Sequence, residues 1–382
     1  MLVLAAWYPT EEEPVPGIFI QDFATHIAVK HLVTVIAFSI AENLPASTLQ
    51  IKRETFAGLP TIRVTQGRGV VPKFRYLSRL RGQIRIIRQI FDEFNPDVIQ
   101  ANNYQTVIPA LLLGRNRRVP IIALEQWSGF YRGMVKGVEL LKARWAFEHA
   151  DCVMPVSEYM VGQIAAHGIK ARYQALPVAA DTSVFHLPPL PLPHNDPPEG
   201  VMVATLTPIK GHIYLVEAAS ILKERGIRVV FRLVGGGDDR AMLEAKIAQL
   251  GVEDYFRFHG VLRKPQVGAV MQQSDFAFTS SLGETFGTAL SEGLVAGLPT
   301  FGTTAAAIPE LIDESRGLLV RPADPEAFAD GMVEFLKKLP NYNREKIAAW
   351  AKEKFEAQSV VRQFEKVCRD QIKEWAARSN VW

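Results

Sequence analysis

The stretch Glu284-Thr-Phe-Gly-Thr-Ala-Leu-Ser-Glu292 holds two carboxylates separated by a Phe-Gly pair. It follows an apolar run, Asp275-Phe-Ala-Phe-Thr-Ser-Ser281, which predicts a short buried strand. It precedes Gly297-Leu-Pro-Thr300, which predicts the end of a helix and the entry to another strand. The stretch is therefore predicted to be a strand-to-helix corner. In open α/β sheets such corners lie at the carboxyl edge of the strands, where ligands bind.

The predicted start of this helix is suited to an anionic ligand. The backbone amides of Phe286, Gly287 and Thr288 are expected to point out of the helix start, where they can bind an anion. Glu284 lies in the loop and Glu292 about two turns away, so the two carboxylates could hold hydroxyl groups on either side of a phosphate. This layout suits a sugar nucleotide.

Length and composition predict a globular protein of two domains. The chain has 382 residues, more than one hydrophobic core usually supports, with 48% apolar and 22% charged residues. A net charge of +3 is only mildly basic, and no zinc-finger spacing or RNA-binding signature is present, so no nucleic-acid partner is predicted.

The two cysteines and the apolar segments suggest a cytoplasmic setting. Cys152 and Cys368 are far apart and form no C-x-x-C motif, so we expect a reducing cytosol and neither a disulfide framework nor a zinc site. The apolar start, Met1 to Trp7, lacks a basic leader and a cleavage site and predicts a first strand rather than a signal peptide. No apolar run is long enough to span a bilayer. No Asp-x-Asp motif is present, so we expect no obligatory metal and no cofactor.

Alternating strand-like and helix-like segments predict a parallel sheet with helices on both faces in each half of the chain. In the first half these segments are Val33–Ile40, Leu59–Thr65, Phe74–Phe94, Asp97–Ala101, Val107–Leu113 and Val119–Leu124. In the second half they are Gly200–Leu206, His212–Arg225, Arg228–Val234, Ala241–Leu250 and Tyr255–His259.

A proline-rich segment, Pro188 to Pro198, predicts a semi-rigid linker between the two halves. We therefore expect a first domain over 1–187, a linker over 188–200 and a second domain over 201–360. Two α/β domains joined by a hinge would leave a cleft for ligands. The tail from Asn343 to Trp382 is predicted to be helical, and its last part, 361–382, to pack back on the first domain.

The order of the motifs resembles glycosyltransferase family 4, the retaining enzymes of GT-B architecture, over nearly the whole chain. Within the family the chain looks closest to enzymes that build cell-surface polysaccharides. The segments that carry the resemblance are Trp7-Tyr-Pro-Thr10, Pro16-Gly-Ile-Phe-Ile-Gln21, Glu125-Gln-Trp-Ser-Gly129, Ala204-Thr-Leu-Thr-Pro-Ile-Lys-Gly211, Val234-Gly-Gly-Gly-Asp238, Phe258-His-Gly260, Glu284 to Glu292, and Pro309-Glu310.

The resemblance implies transfer of a sugar from a nucleoside-diphosphate sugar to a hydroxyl of a glycan or a lipid-linked acceptor. By resemblance, Lys210 neutralises the leaving diphosphate, Glu284 holds the donor sugar and Glu292 binds the ribose of the nucleotide. Gly17 either approaches the diphosphate from the first domain or is an ordinary turn glycine. The remaining residues with an expected donor-binding role are Thr205, Gly211, Thr285, Phe286, Gly287 and Thr288.

The acceptor is expected to enter from the first domain. Glu125, Gln126 and Trp127 follow a predicted strand and should face the cleft, with Gln126 near the reacting sugar. Trp127 either stacks on a sugar or fills the core.

Four departures from the family pattern put ordinary turnover in question. Thr205 and Gln126 stand where the family usually has arginine and histidine, and a neutral group cannot replace the charge of arginine. Val178-Ala179 replaces Asn-Gly, and Ala306-Ala307 replaces Gly-Gly. The alternative interpretation is a catalytically weakened or inactive relative that binds a nucleotide sugar or a glycan within a complex.

Two further segments allow other functions. The run Gly235-Gly-Gly237 follows a predicted strand, as in nicotinamide-dependent oxidoreductases, but Arg240 occupies the place of the third glycine of that motif. The segment 73–88 is a basic helix in which Lys73, Arg75, Arg79, Arg81, Arg85 and Arg88 alternate with apolar residues. It suits either an anionic membrane surface, and so peripheral attachment to the inner membrane face, or a core-facing helix with a solvated basic side.

Overall fold

The computed structural model describes residues 1–13, 16–41, 44–45, 48–67, 72–114, 119–190, 192 and 194–379. It divides into two compact units: Met1–Ala179 together with Val360–Trp382, and Ala180–Ser359. Each unit has its own sheet. The predicted α/β class with two Rossmann-like sheets is therefore confirmed.

The first unit contains a seven-stranded sheet in the order β3-β4-β2-β1-β5-β6-β7. All neighbouring strands are parallel except β3 and β4, which form an antiparallel pair. Its strands are β1 Leu2–Ala5, β2 Thr34–Ala41, β3 Leu49–Phe56, β4 Leu59–Gly67, β5 Ile99–Asn102, β6 Ile121–Glu125 and β7 Cys152–Pro155. Its helices before the second unit are α1 Ile18–Ala28, α2 Pro72–Phe94, α3 Tyr104–Gly114, α4 Val138–His149 and α5 Glu158–Ala166.

The second unit contains a six-stranded, wholly parallel sheet in the order β10-β9-β8-β11-β12-β13. Its strands are β8 Glu199–Val203, β9 Val230–Val234, β10 Phe256–Gly260, β11 Phe276–Phe278, β12 Thr300–Thr303 and β13 Gly317–Val320. Its helices are α6 His212–Glu224, α7 Arg240–Leu250, α8 Lys264–Gln272, α9 Thr288–Val295, α10 Pro325–Lys338 and α11 Arg344–Phe355.

The last helix, α12 Ala357–Ser379, completes the core of the first unit. The ring of Phe364 packs edge-on against that of Phe23 at a centroid distance of 5.3 Å. Farther along the helix, the indole N–H of Trp375 donates to Asp151 at 2.8 Å. The amphipathic pattern of the tail is thus used to cover the first sheet, although the tail follows the second unit in sequence.

The segment after residue 179 differs from the expected boundaries, 1–187 for the first domain and 188–200 for a separate linker. The second unit begins at Ala180, whose amide donates to the carbonyl of Phe355 at 2.7 Å. Phe185 is buried, and the amide of Asn195 donates to Asp275 at 3.1 Å. Because these contacts attach the segment to the second unit, the proline-rich run is not a separate linker at Asn195.

The predicted helix over Asn343–Trp382 is interrupted at Glu356 and begins at Arg344, and its last three residues, 380–382, lie outside the described residues. Glu356 separates α11 from α12 because its backbone is extended, at φ −56° and ψ 136°, and it pairs with Ala180 as an isolated bridge. The elements expected from the sequence match observed ones to within a few residues, but they did not include β3, β7, β13, α1, α4, α5, α8 or α10.

Candidate functional site

The strongest candidate site of the second unit lies where its strand order reverses. β8 and β11 are neighbours in the sheet, and from them the chain proceeds outward in opposite directions. A pocket of about 300 Å³ lies at the carboxyl ends of these two strands. Such a switch point is where open parallel sheets bind their ligands. The pocket is lined by Met202, Val203, Lys210, Phe278, Thr279, Glu284, Thr285, Gly287, Thr288, Ala289, Leu290 and Glu292.

Lys210 and Glu284 form an ion pair in this pocket. Nζ of Lys210 lies 2.6 Å from Oε1 of Glu284, and each side chain is about one-fifth exposed. The hydroxyl of Ser281 donates to the same carboxylate oxygen at 2.8 Å. The structure thus brings together two residues that are 74 positions apart in the chain.

The loop that carries Lys210 is fixed against the loop after β11. The amide of Leu282 donates to Ile209 at 2.8 Å, and the hydroxyl of Ser280 donates to the carbonyl of Lys210 at 2.9 Å. Gly211 has φ +67°, and a Cβ added there would lie 2.1 Å from the carbonyl oxygen of Ser280. Glycine is therefore required for this close approach, and Gly211 shapes the pocket without lining it.

Helix α9 presents its amino terminus to the pocket. Its N-cap is Gly287, with φ 95°, which has no side chain to accept hydrogen bonds from the amides of the first turn. Thr285, Gly287, Thr288 and Glu292 all line the pocket. Phe286 instead turns into the core, where its ring packs against Phe355 at 5.6 Å. The side chain of Phe286 thus anchors the corner, and only its backbone is available to a ligand.

His212 lies directly after the Lys210 loop and is buried. Burial and, second, the positive charge of Lys210 lower the pKa of His212 to about 4. The imidazole is therefore neutral at neutral pH, and Lys210 is the cation that this loop supplies. Nothing in the sequence pattern distinguished His212 from a surface histidine at the start of a helix.

Two departures from the family pattern lie in the second unit. Thr205 is exposed and lies outside the pocket lining, and its hydroxyl is 3.4 Å from that of Thr207. Ala306 has φ +52°, a left-handed conformation that glycine adopts more easily, and the amide of Ala307 donates to the carbonyl of Glu284 at 3.2 Å. The Ala306-Ala307 loop therefore supports the backbone of the glutamate loop.

The first-unit candidates lie in different environments. Gly17 is the N-cap of α1. Glu125 is fully buried at the end of β6, and its Oε1 accepts from the amides of Gln126 at 2.9 Å and Trp127 at 2.8 Å. The Glu125 side chain is therefore not exposed at this edge: Oε1 holds the next two residues, and Oε2 has no hydrogen-bond partner among the described residues.

Gln126 and Trp127 are both partly exposed. Gln126 lies at a small apolar pocket formed by Phe19, Phe23, Leu124, Met154, Val156, Leu176, Pro177, Val178 and Ala179. The departure Val178-Ala179 thus contributes apolar surface beside Gln126. The ring of Trp127 lies 6.3 Å from that of Trp7 and 6.4 Å from that of Tyr104.

Sequence reasoning missed several residues of the pocket. Ser281 bonds Glu284, and Thr279 and Ala289 line the pocket. The polar run Thr279-Ser-Ser281 at the end of an apolar strand was an available signal, because polar side chains at that edge of a sheet face the ligand side. Within the described ranges no group of three or more His, Cys, Asp or Glu side chains is arranged to hold a metal ion. Among the helices of those ranges, none is both long and apolar enough to cross a bilayer.

Two sheets with this strand order and a pocket at the switch point define the GT-B class, and comparisons with known proteins agree. Residues 191–373 match the model of the glycosyl transferases group 1, and residues 19–179 match a glycosyl transferase 4-like domain. Together these matches cover most of the chain. The chain therefore belongs to the glycosyltransferase family that its motifs resemble, family 4.

Relatives and solved structures are similar to the chain at low identity. It is 28% identical over 229 residues to the putative colanic acid biosynthesis glycosyltransferase WcaL of Salmonella typhimurium, a match of 57% of this chain and 56% of that protein. The chain thus spans little more than half the length of this relative. Sucrose-phosphate synthase from Thermosynechococcus elongatus has a TM-score of 0.77 at 16% identity, covering 98% of this chain and 99% of that one. Anabaena HepE in complex with UDP-glucose has a TM-score of 0.72 at 16% identity, covering 97% and 99%.

Proposed function

We propose that this protein is a retaining glycosyltransferase that transfers a sugar, a hexose, from a nucleoside-diphosphate sugar to a hydroxyl of a glycan or lipid-linked acceptor. The observation that carries the proposal is the convergence of Lys210, Glu284, Glu292 and the α9 terminus on one pocket. We propose synthesis of a cell-surface polysaccharide as its context; the relative WcaL is named for colanic acid biosynthesis.

In this proposal the diphosphate binds at the amino terminus of α9. The amides near Gly287 and the ammonium group of Lys210 supply positive charge where the leaving group becomes more negative. Glu292, which lines the same pocket, accepts hydrogen bonds from the ribose hydroxyls. The C1–oxygen bond to the diphosphate breaks, a bond from C1 to the acceptor oxygen forms, and the acceptor hydroxyl passes its proton to an oxygen of the departing diphosphate.

The ion pair between Lys210 and Glu284 has a specific role in this proposal. The phosphate of an incoming donor competes with Glu284 for Lys210, because both are anions. As Lys210 turns toward the phosphate, Glu284 is left with Ser281 and can accept hydroxyls of the donor sugar. The pair thus keeps both charges compensated before the donor arrives. This chemistry requires neither a metal nor a further cofactor.

A thermal-shift panel of UDP, ADP, GDP and dTDP, with their hexose derivatives, tests the donor site. A ligand that binds only the folded state raises the melting temperature by mass action. We expect one of these nucleotides and its hexose derivatives to raise the melting temperature. Glu292→Ala should abolish this rise. Glu224→Ala, which removes an exposed carboxylate on α6, should preserve it. An unchanged shift in Glu292→Ala would show that the ribose assignment is wrong. The anomeric configuration of the product, read by NMR, tests retention.

The alternative is a weakened or inactive relative that binds without turnover. The exposed, neutral Thr205 and the neutral Gln126 favour it, since neither can supply a positive charge. Thr205→Arg combined with Gln126→His distinguishes the two. A large gain in turnover indicates a decayed enzyme, whereas an active parent with no gain supports the transferase.

We also propose that the protein acts at the cytoplasmic membrane surface. The connections β4–α2–β5, β5–α3–β6 and β6–α4–β7 all run in one direction across the sheet, so right-handed crossovers place α2, α3 and α4 on the same face. On α4, Val138, Leu141 and Trp145 are exposed at helical spacing, at 66%, 62% and 37%. The other side of α4 is apolar as well and is buried.

Basic residues accompany this exposed apolar stripe. Arg81, Arg85 and Arg88 on α2 are exposed, as are Arg132 and Lys136 before α4. The side chains of Lys73 and Arg75 in the predicted basic helix lie outside the described residues. Apolar groups flanked by cations suit an anionic bilayer surface. In flotation with phosphatidylglycerol vesicles, Leu141→Ser should no longer float with the vesicles. Leu32→Ser, a change at an exposed leucine before β2, should still float with them. Equal flotation of the two variants would contradict the proposed membrane contact of α4.

A further inference from the structure

The first sheet has a switch point of its own. β1 and β5 are neighbours, and the chain leads from β1 toward one edge of the sheet and from β5 toward the other. The residues just beyond the carboxyl ends of these strands are therefore placed to contact a ligand. Trp7 follows β1, and Asn103 and Tyr104 follow β5. Trp127 follows β6, the next strand.

Two tryptophan rings meet at this edge of the sheet. Trp7 is 40% exposed, which is unusual for the largest apolar side chain. Its ring centroid lies 6.3 Å from that of Trp127, with the two planes inclined at 45°. Behind Trp127 lies Tyr104, which is buried. The aromatic group thus has a buried base and an exposed outer ring.

The loop that carries Trp127 is held in place. The buried carboxylate of Glu125 accepts from the amides of both Gln126 and Trp127. On the other side, a Cβ added at Gly129 would lie 2.5 Å from the Trp127 ring, so the indole packs directly on the glycine backbone. A ring fixed before binding loses little conformational freedom when a ligand stacks on it.

A polar group at the same edge is left without a partner. Asn103 is buried, at 3% exposure, and its Nδ2 has no hydrogen-bond partner among the described residues. Buried amide groups normally have a partner, so a donor here is explained by a polar ligand group or a bridging water. Partly exposed Gln126 adds an amide that can donate as well as accept.

We propose that Trp7 and Trp127 form a stacking platform for a pyranose ring of the acceptor, with Gln126 and Asn103 as polar partners. One face of a pyranose is covered by C–H groups and suits an aromatic ring, while its hydroxyls need donors and acceptors at the rim. This inference rests on the proposed glycosyl transfer and narrows its acceptor. The platform selects an acceptor that presents a sugar ring, whether or not a lipid is attached.

Calorimetric titration with soluble oligosaccharides tests the platform. The probes are maltotetraose, cellotetraose and chitotetraose, used with the nucleotide that gives the largest thermal shift. We expect at least one of them to bind. Trp7→Ala and Trp127→Ala should each raise its Kd roughly tenfold, the size of one lost aromatic contact. Trp7→Phe should retain most of the affinity. Ile51→Ala, an exposed truncation on β3, should leave the Kd unchanged.

The circular dichroism and the melting temperature of each variant without ligand serve as the folding control, because both tryptophans lie in the first unit. The nucleotide thermal shift tests the pocket of the second unit separately. Glycan binding that is unaffected by both tryptophan variants, or no binding of any probe, overturns the platform even where the nucleotide shift persists. Tryptophan-dependent glycan binding without any nucleotide shift would instead support the platform and overturn the proposed transfer.

Discussion

Nζ of Lys210 lies 2.6 Å from Oε1 of Glu284, although the two residues follow different strands of the second sheet. β8 and β11 pair side by side, so the loops that follow them meet at one edge. The pair places a cation and an anion where the proposed donor has a diphosphate and a sugar.

Removing the ammonium group should reduce turnover far more than stability. We expect Lys210→Ala to lower kcat/KM by roughly 100-fold or more, the effect of losing one preorganised charge at a leaving group. The melting temperature should change little, because partly exposed ion pairs contribute about 1 kcal/mol or less. Steady-state rates and thermal unfolding measure the two quantities. Lys337→Ala, on the exposed side of α10, is the control and should leave both unchanged.

The effects of Lys210 and Glu284 should be coupled. We expect the loss in kcat/KM for Lys210→Ala combined with Glu284→Gln to be smaller than the product of the single losses, since each residue compensates the charge of the other. A double-mutant cycle measures the coupling. Strictly multiplicative losses would show that the contact at 2.6 Å has no functional role.

Glu125 should make stability depend on pH. Burial raises its pKa from 4.5 to about 7, against the lowering effect of the amides of Trp127, Gln126 and Tyr104. Because the folded state binds this proton more tightly, the stabilisation is complete below the unfolded pKa of 4.5 and is lost as the pH rises through about 7. Relative to Glu125→Gln, the free energy of unfolding should fall by about 2 kcal/mol from about pH 5 to about pH 8.

Urea denaturation of both proteins at the two pH values measures this difference. The substitution keeps an oxygen that can accept from the amides of Gln126 and Trp127, so the loop geometry should be preserved. Parallel pH dependences for the two proteins would mean that the buried carboxyl group titrates normally.

Gly211 should be more sensitive to substitution than a glycine with the same backbone in open space. Gly211→Ala brings a Cβ to 2.1 Å from the carbonyl of Ser280 and must displace the Lys210 loop. Gly226 has φ +70° and no atom within 4 Å of an added Cβ. Gly226→Ala should therefore be destabilised only by the left-handed backbone conformation of the new alanine, which costs about 1 kcal/mol. We expect Gly211→Ala to lower the melting temperature further and to weaken nucleotide binding, which Gly226→Ala should preserve.

Phe364 should be needed for the stability of the first unit. Its ring is 1% exposed in the core of that unit, so Phe364→Ala should reduce the free energy of unfolding by roughly 3–5 kcal/mol. Ile372 on the same helix is 38% exposed, and Ile372→Ala should cost much less. Chemical denaturation compares the two variants. Similar losses would mean that α12 is held by its surface rather than by this core.

Local pattern predicted most of the elements but missed β3. Its sequence, Leu49-Gln-Ile-Lys-Arg-Glu-Thr-Phe56, is mostly charged or polar, because the strand lies at the edge of the sheet and is largely exposed. The turn Ala57-Gly58 joins β3 to β4 with both φ angles positive, but an Ala-Gly pair is not among the dipeptides that mark such a hairpin in a sequence. A strand that buries little apolar surface shows little alternation of apolar and polar residues, which is the pattern that predicts a strand.

Sequence alone determined the α/β class and the strand-to-helix corner at Glu284–Glu292, because these depend on residues close together in the chain. Tertiary structure decided which distant loops meet. Strand order makes β8 a neighbour of β11 and so pairs Lys210 with Glu284. It also places β1, β5 and β6 in succession, and the residues after β1 and β6 bring Trp7 to Trp127. Tertiary structure also buried Glu125, which was expected from the sequence to face the cleft. Periodicity shows which face of an element is apolar, whereas sheet neighbours follow from the packing of the whole unit.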